Sequence, residues 1–247
     1  SQLKSYKEWS ENLVKECPDV IVFESTTPVM KFYWNATAEL KNLLPESIFI
    51  MTGYHSMRRP KETFDESPID LVLRSNHIDF VLVKLIQFIT KEPNWREKCE
   101  IEGLVIRMKN GNTRDTGHFR QVEPLEKSPL VDRDLVQWEN YAKENGNFLQ
   151  TPGTYASSVI RDCMFGKCTF CRYNGGDLTF SMLPVEKSLN EYERLVNDYG
   201  TKEIFDDSGV WYRGKEAREF AQGIIDRGLH KTGCYFGFNT RFEYLDE

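Results

Sequence analysis

The first 108 residues alternate short apolar runs with amphipathic stretches. Apolar runs that are rich in β-branched residues and end in polar loops are typical of buried strands. They predict strands at 19–24, 47–51, 69–73 and 103–108. The stretches between them predict helices at 30–44, 60–66 and 77–90. Strands that alternate with helices form βαβ units, so we predict a parallel sheet covered on both faces.

A second α/β pattern follows a stretch without regular alternation. Residues 110–152 are polar and contain prolines, hold one predicted helix at 134–144, and are typical of a connection between domains. Beyond them, the pattern predicts strands at 155–160, 202–206 and 234–238 and helices at 184–199 and 215–227. The predicted organisation is a first domain at 1–108, a linker at 109–152 and a second domain at 153–247.

Polar loops follow the first two predicted strands. Ser25, Thr26 and Thr27 come directly after the first strand, and residues 53–56 come soon after the second. In parallel α/β sheets, ligands bind at the carboxyl ends of the strands. The sequence therefore predicts a binding cleft at this edge of the sheet, without identifying its ligand.

Composition and charge narrow the class of protein. A hydrophobic share of 40% and a charged share of 28% over 247 residues are typical of a soluble globular protein. No apolar run approaches the ~18–20 residues of a membrane span, and the first residues lack an apolar signal-peptide core. We therefore expect neither a membrane partner nor export. A net charge of −6 argues against a nucleic-acid partner, because such proteins usually present a basic face.

Three of the six cysteines lie close together in the sequence. Cys163, Cys168 and Cys171 follow a predicted strand, and a chain without an export signal is not expected to hold disulfides. Closely spaced thiolates are typical ligands of iron–sulfur clusters. Three thiolates fill three irons of a four-iron cluster and leave the fourth open to another ligand. Gly166 lets the backbone turn inside the loop, and Phe170 is predicted to shield the cluster from water.

Spacing alone leaves other interpretations of these cysteines open. Structural zinc usually needs four Cys or His ligands, and the sequence has no His between His118 and His230. A two-iron cluster has the same C-x4-C-x2-C spacing but needs a fourth cysteine. Cys234 is the candidate, although it lies far along the chain in a predicted strand. The three residues are also compatible with unligated cysteines in a core.

The cysteine loop resembles that of the radical S-adenosylmethionine (SAM) enzymes, as do the strand before it and the βα units after it. The usual family spacing is C-x3-C-x2-C with an aromatic residue before the third cysteine. Phe170 matches this pattern, whereas the first interval is one residue longer here. The resemblance implies a [4Fe–4S] cluster whose open iron binds the amino and carboxylate groups of SAM. An electron from that cluster releases a 5′-deoxyadenosyl radical in the family.

The same resemblance implies SAM contacts beyond the cysteines. Asp206 and Asp207 end and follow a predicted strand, and look like the acidic pair that contacts the SAM amino group in one branch of the family. They are equally compatible with a solvated loop or a helix cap. Arg241, after the last strand, is expected to face the SAM carboxylate or the substrate. The predicted SAM-binding residues are Phe170, Asp206, Asp207 and Arg241.

The first domain resembles the cobalamin-binding Rossmann-like domain that precedes many radical SAM barrels. The similarity lies in residues 24–28, 52–56 and 68–74, and residues 124–133 resemble the usual linker. Residues 75–78 stand where the family usually has a Gly-Glu pair, and the D-x-H-x-x-G signature of a lower axial histidine is absent. The resemblance implies cobalamin contacts from six residues of two loops: Ser25, Thr26, Thr27, Gly53, His55 and Ser56.

The family implies a function, with alternatives. The first expectation is a cobalamin-dependent radical SAM methyltransferase that acts on an unactivated carbon of a small-molecule or peptide substrate. Its cofactors are a [4Fe–4S] cluster, SAM and cobalamin, with an electron donor such as a flavodoxin or ferredoxin. A cobalamin-using cyclase or rearrangement enzyme, and a non-catalytic iron–sulfur or zinc α/β protein, stay open. Because exposed clusters and thiolates oxidise readily, we expect a cytoplasmic protein.

The family also predicts that the barrel is incomplete in this chain. A radical SAM barrel has more βα units than the sequence after residue 153 supplies, and the first sheet lacks an opening strand. A half-barrel leaves unpaired strand edges, which isolated proteins avoid. The predicted fold is α/β: a Rossmann-like cobalamin-binding domain followed by the first half of a radical SAM (β/α) barrel. We expect the 247 residues to be a fragment of a longer protein.

Overall fold

The protein has a mixed α/β architecture, seen in a computed structural model that describes residues 5–75, 77–119, 125–143, 147–156, 160–171 and 180–244. The chain divides into two compact units, Leu3–Gln121 and Val122–Glu247. Parallel strand pairs occur among the described strands of both units, together with antiparallel pairs. No helix within these ranges has the length and apolar character needed to cross a bilayer.

The first unit is built on a sheet whose strands lie in sequence order. Parallel pairing joins the first three strands, and the last two run antiparallel to their neighbours. The strands are β1 (Val20–Glu24), β2 (Ile48–Thr52), β3 (Leu71–Leu73), β4 (Leu104–Arg107) and β5 (Thr113–Asp115). The helices are α1 (Tyr6–Glu16), α2 (Met30–Leu43), α3 (Tyr54–Arg58), α4 (Pro60–Glu66), α5 (Ile78–Lys91) and α6 (Trp95–Lys98).

Helices cover both faces of this sheet, as the apolar strand sequences predict. On one face, Phe49 and Met51 of β2 pack with side chains of α1, α2 and α4. On the other face, Leu71 and Leu104 pack with side chains of α5 and α6. All four side chains are fully buried, so the sheet forms the centre of the unit.

The direction of β4 differs from the predicted all-parallel arrangement. β4 runs antiparallel to β3, with Leu104 opposite Leu73 at the carboxyl end of β3. Arg96 of α6 pairs with Asp70 just before the amino end of β3. The chain therefore runs from α6, beside the amino end of β3, back to the carboxyl end of β3, where β4 begins. The apolar pattern predicts that a strand exists, but it holds no information on the direction in which the strand enters the sheet.

Helices α1, α3 and α6 lie where the sequence predicts none. A capping box begins α1, because the Ser5 side chain accepts the Glu8 N–H and the Glu8 carboxylate accepts the Ser5 N–H. The five-residue α3 occupies the polar loop after β2, directly after Gly53. Helices as short as α3 and α6 contain too few apolar residues to show a helical period in the sequence.

The second unit contains the strand–helix alternation predicted for it. Its strands are β6 (Gly153–Ala156), β7 (Ile160–Arg161), β8 (Ser181–Met182), β9 (Glu203–Asp206) and β10 (Tyr235–Phe238). Its helices are α7 (Glu139–Ala142), α8 (Val185–Asn197) and α9 (Gly214–Asp226). β10, β9 and β6 form a parallel sheet in that order, and β7 pairs with β8. Ile204 of β9 packs with Leu189 of α8 and Phe220 of α9 in the core.

The strand predicted at 155–160 begins and ends earlier in the structure. β6 pairs with β9 from Gly153 opposite Glu203 to Ala156 opposite Asp206. Residues 157–159 of the predicted strand lie outside the described residues. β9 and β10 confirm the strands predicted at the other two positions.

The predicted linker at 109–152 is divided between the two units. β5 pairs with β4, so the start of the linker belongs to the first sheet. The helix predicted at 134–144, whose last residue lies outside the described residues, is replaced by the 3-10 turn Asp134–Val136 and α7. Gln137 between them has a φ of 51°, a left-handed conformation that does not continue a right-handed helix.

Candidate functional site

The cysteine loop lies beyond the carboxyl end of the parallel sheet in the second unit, after β6 and the short β7. Cys163, Cys168 and Cys171 are half-buried free thiols. The N–H of Cys171 donates to the carbonyl of Cys168 at 3.0 Å, and Gly166 has a φ of 55°. These features make the loop turn back on itself. Barrel enzymes and open α/β proteins place their ligands at this end of the strands.

The thiols fit an iron–sulfur cluster in donor type. Cluster irons are bound by cysteine thiolates, and all three loop cysteines lack a disulfide partner. Among the described residues, no three Cys, His, Asp or Glu side chains converge to hold one metal ion. In a four-iron cluster each thiolate binds a different iron, so the sulfur atoms do not need to meet at one point.

The other three cysteines differ in burial and lie outside the loop. Cys234 directly precedes β10, at the amino end of the sheet, and the four residues of a strand span roughly 13 Å. Burial raises the pKa of its thiol to about 11 and also raises the pKa of Cys99. Cys17 is exposed. Cys234 is therefore poorly placed to be a fourth ligand of a two-iron cluster in the loop.

Arg241 contacts the cysteine loop. Its guanidinium carbon lies 3.6 Å from the centre of the Phe165 ring, and its Nη2 lies 2.5 Å from a carboxylate oxygen of Glu243. The hydrogen bond to Glu243 raises the pKa of Arg241, and the negative charges of Glu243 and Cys168 act in the same direction. Arg241 follows β10, so this contact joins the loops that follow the two outer strands of the sheet.

Phe170 is exposed near the end of the cysteine loop. Its relative exposure is 92%, and its role as a shield for a cluster stays a prediction. Met164 packs against the core of the unit, and Phe165 is half-buried beneath Arg241. The sequence does not predict the contact of Phe165 with Arg241, because the two residues are distant along the chain.

Asp206 and Asp207 have different surroundings at the end of β9. Asp206 is fully buried, and its Oδ1 accepts the Ser208 N–H at 3.0 Å and also the Ser208 hydroxyl. Its Oδ2 accepts the Tyr192 hydroxyl at 3.4 Å. Burial raises the pKa of Asp206, against the lowering effect of the Ser208 hydrogen bonds. Asp207 is exposed. Of the predicted acidic pair, only Asp207 is accessible to a ligand.

In the first unit, hydrogen bonds join the loops after β1 and β2. The N–H and the hydroxyl of Ser25 both donate to the Thr52 carbonyl, at 2.9 and 2.8 Å. The hydroxyl oxygens of Ser25 and Ser56 are 2.5 Å apart. Thr27 Oγ1 lies 3.1 Å from Nδ1 of His55. These contacts bring four of the predicted cobalamin-binding residues together at one edge of the sheet.

Gly53 lies against the backbone of Ser25, where the two loops meet. Its φ is 91°, and a Cβ atom there would lie 2.3 Å from the Ser25 carbonyl oxygen. Glycine alone combines this backbone conformation with this contact distance. Thr26, the sixth predicted cobalamin contact, is exposed in the loop after β1.

His55 has neighbours that the sequence does not predict. Its Nε2 is buried and lies 3.6 Å from the Glu62 carboxylate, beyond hydrogen-bond distance. The ring of Trp34 meets the imidazole edge-on, with ring centres 6.3 Å apart. Glu62 and Trp34 lie on α4 and α2, and the helical period of those segments predicts burial but no contact with His55.

The fold of the chain is similar to solved structures of the radical S-adenosylmethionine methyltransferase TsrM from Kitasatospora setae. The structure with tryptophan substrate and the SAM analogue aza-SAM matches with a TM-score of 0.64 and 14% identity, over 90% of this chain and 44% of that one. The structure with cobalamin and a [4Fe–4S] cluster matches with a TM-score of 0.62 and 14% identity, over 90% and 45%. At this identity, the similarity concerns the fold.

The chain spans less than half the length of the TsrM structures it matches. No protein-family model matches the chain, and no curated protein sequence matches it. The shared feature is therefore the α/β architecture with its parallel-rich sheets.

Proposed function

We propose that this chain belongs to a cobalamin-dependent radical SAM enzyme that transfers a methyl group to an unactivated carbon. The observation that supports this most is the position of Cys163, Cys168 and Cys171 beyond the carboxyl end of a parallel βαβαβ sheet. The similarity to TsrM over both units adds support, since that protein is a methyltransferase. It favours methyl transfer over a cyclisation or rearrangement.

The second unit would bind the cluster and SAM. The three thiolates of the loop are the cluster ligands in this proposal. Asp207 offers an exposed carboxylate for the SAM ammonium group, and Arg241 offers a guanidinium for its carboxylate. When bound, the cluster, SAM and cobalamin would supply a 5′-deoxyadenosyl radical and a transferable methyl group. The chain itself orients these groups and restricts the access of water.

The first unit would bind cobalamin along the loops after β1 and β2. The Ser25–Ser56 contact and Gly53 hold these loops together, and Thr26 and Thr27 are exposed beside them. We assign His55 to the wall of the site instead of to the cobalt. Its Nδ1 faces Thr27, and its Nε2 is buried beside a carboxylate.

Two kinds of partner follow from this chemistry. Reduction of a cluster needs a one-electron donor, and we propose a low-potential protein of the flavodoxin or ferredoxin class. The substrate would be a small molecule or a peptide, and hydrogen abstraction requires that its reacting carbon be held close to SAM.

Metal analysis after anaerobic reconstitution tests the proposal. The wild-type chain should take up about four irons with matching sulfide, as a four-iron cluster requires. Changing Cys163, Cys168 and Cys171 together to Ala should abolish that uptake. The matched control changes Cys17, Cys99 and Cys234 to Ala and should retain it. About two irons per chain, or stoichiometric zinc in place of iron, contradicts the proposal.

Cobalamin binding is tested separately on the intact chain. Equilibrium dialysis with hydroxocobalamin should show one bound cobalamin, weakened when Thr26 and Thr27 are both changed to Ala. The exposed Thr90 and Thr113 provide a matched control pair that should leave binding unchanged. Retention of full affinity by the Thr26→Ala, Thr27→Ala variant contradicts the assigned loop.

A further inference from the structure

The contact between Arg241 and Phe165 fixes one point of the cysteine loop. Phe165 lies between Cys163 and Cys168, and the Arg241 guanidinium is 3.6 Å from its ring centre. A guanidinium over the face of an aromatic ring is attracted by the ring quadrupole. Because Phe165 belongs to the loop between two proposed ligands, the position of its ring constrains the positions of both thiols.

The contact also places a permanent positive charge next to proposed ligands. Arginine stays protonated in proteins. Phe165 lies in the segment that joins Cys163 to Cys168, so the guanidinium over its ring lies against the part of the loop between two proposed ligands. The counter-charge, Glu243, is the more solvated partner, with a side-chain exposure of 62% against 29% for Arg241. Solvent screens the carboxylate more strongly, so a net positive field remains at the loop.

We propose that Arg241 is a positioning residue that holds the cysteine loop through Phe165 and raises the reduction potential of a cluster bound there. This inference rests on the proposed function. Reduction adds one electron from an external donor, of the flavodoxin or ferredoxin class, and neither makes nor breaks a bond. The reduced cluster has one more negative charge than the oxidised cluster, so a nearby cation stabilises the reduced form more.

This role is separate from the contact with SAM. The Arg241–Phe165 contact exists within the chain itself, so its effect on the cluster is measurable without SAM or substrate. Glu243 has the opposite sign and is paired with Arg241, so removing its charge should change the potential in the opposite direction. Opposite shifts from two neighbouring residues distinguish an electrostatic effect from a general loosening of the loop.

A redox titration of the reconstituted full chain tests the inference. Cluster reduction is followed by electron paramagnetic resonance (EPR), and iron is counted in the same samples. The variants are Arg241→Gln, Arg241→Lys, Glu243→Gln and Phe165→Leu. Lys215→Gln on α9, a 79% exposed side chain, is the control for loss of one positive charge outside the loop.

Arg241→Gln should favour the oxidised cluster by about tenfold, which is a shift of about 59 mV to lower potential for one electron. Arg241→Lys should stay closer to wild type, Glu243→Gln should move to higher potential, and Lys215→Gln should not move. Phe165→Leu should lower the iron content, because the ring no longer holds Arg241 against the loop.

The outcomes separate this inference from the proposed function. If the wild-type chain takes up no iron, the proposed function falls and this inference falls with it. If the wild-type chain takes up iron but Arg241→Gln has the same potential, only this inference is overturned. Shifts of the same sign in Arg241→Gln and Glu243→Gln also overturn it, since a purely structural role predicts that result.

Discussion

Gly53 approaches the backbone of Ser25 so closely that a Cβ atom on Gly53 would lie 2.3 Å from the Ser25 carbonyl oxygen and 2.6 Å from its nitrogen. The contact joins the loops after β1 and β2 at the edge of the sheet where the proposed cobalamin contacts lie. Since both contacted atoms belong to the backbone, no change of rotamer can relieve the overlap. The geometry of these two loops therefore depends on glycine at position 53.

Gly53→Ala should destabilise the first unit and weaken cobalamin binding. The backbone conformation alone costs roughly 1–3 kcal/mol for a residue with a Cβ, and the overlap with Ser25 adds to it. Gly111→Ala is the matched control, because Gly111 has a φ of 86° with nothing within 4 Å. Urea unfolding and cobalamin dialysis measure both effects. Equal losses of stability in the two variants would show that the contact with Ser25 is unimportant.

Asp206→Asn should change how stability depends on pH. Burial raises the folded-state pKa of Asp206 above its ordinary value, so the folded protein binds this proton more tightly than the unfolded chain does. The stability contributed by the protonated carboxyl is fully present below the unfolded pKa of about 3.9 and is lost as the pH rises through the folded pKa. The uncharged Asn variant lacks this loss.

Urea unfolding of both proteins between pH 4 and pH 7 measures the difference. The wild type should lose stability relative to Asp206→Asn as the pH rises. Asp207→Asn, on the exposed neighbour, should change the unfolding free energy by no more than about 0.5 kcal/mol. A wild type that gains stability over Asp206→Asn with rising pH would contradict the burial of this carboxylate.

Arg133→Met should strongly destabilise the second unit. Arg133 and Glu191 form an ion pair of 2.6 Å with both side chains almost fully buried, and Arg133 also donates to the Tyr155 carbonyl. Loss of one partner of a buried pair costs about 3–5 kcal/mol, because the other charge stays buried without compensation. The double variant with Glu191→Leu should recover most of that loss in thermal unfolding. No recovery would indicate that the pair itself is not the cause.

In the chain without a cluster, exposed cysteines should be alkylated faster than buried cysteines. At pH 8, iodoacetamide should modify the exposed Cys17 rapidly, because the thiolate is the reactive form and is accessible there. Cys234, whose pKa is about 11, and the buried Cys99 should react slowly. Peptide mapping by mass spectrometry gives the rate at each site. Equal rates at Cys17 and Cys234 would be inconsistent with the described core.

Much of the secondary structure follows from local patterns in the sequence. The buried strand 19–24 and the helix 184–199 appear as β1 and α8, because each has the apolar period of its element and clear flanking signals. The antiparallel direction of β4 is not predictable in this way. The direction is set by contacts between residues far apart along the chain, and Arg96 and Asp70, 26 positions apart, form one of the contacts beside these strands.

The candidate site, like the fold, is predictable from the sequence only in part. The sequence supplies the thiols, the two polar loops and Arg241, because these residue types and their order along the chain are visible without a structure. It does not predict that Phe165 is half-buried beneath Arg241, because that contact joins distant parts of the chain. The sequence also cannot show that Asp206 is buried while Asp207 is exposed, because the two are adjacent residues of the same type.

The most direct test of the account is the EPR spectrum of the reduced, reconstituted chain with and without SAM. A cluster held by Cys163, Cys168 and Cys171 has one iron without a protein thiolate, and SAM binding to that iron alters the electronic environment of the cluster. We predict a four-iron signal whose g values change when SAM is added. A four-iron spectrum that SAM leaves unchanged, or no cluster signal, would contradict the assignment of these cysteines to a SAM-binding cluster.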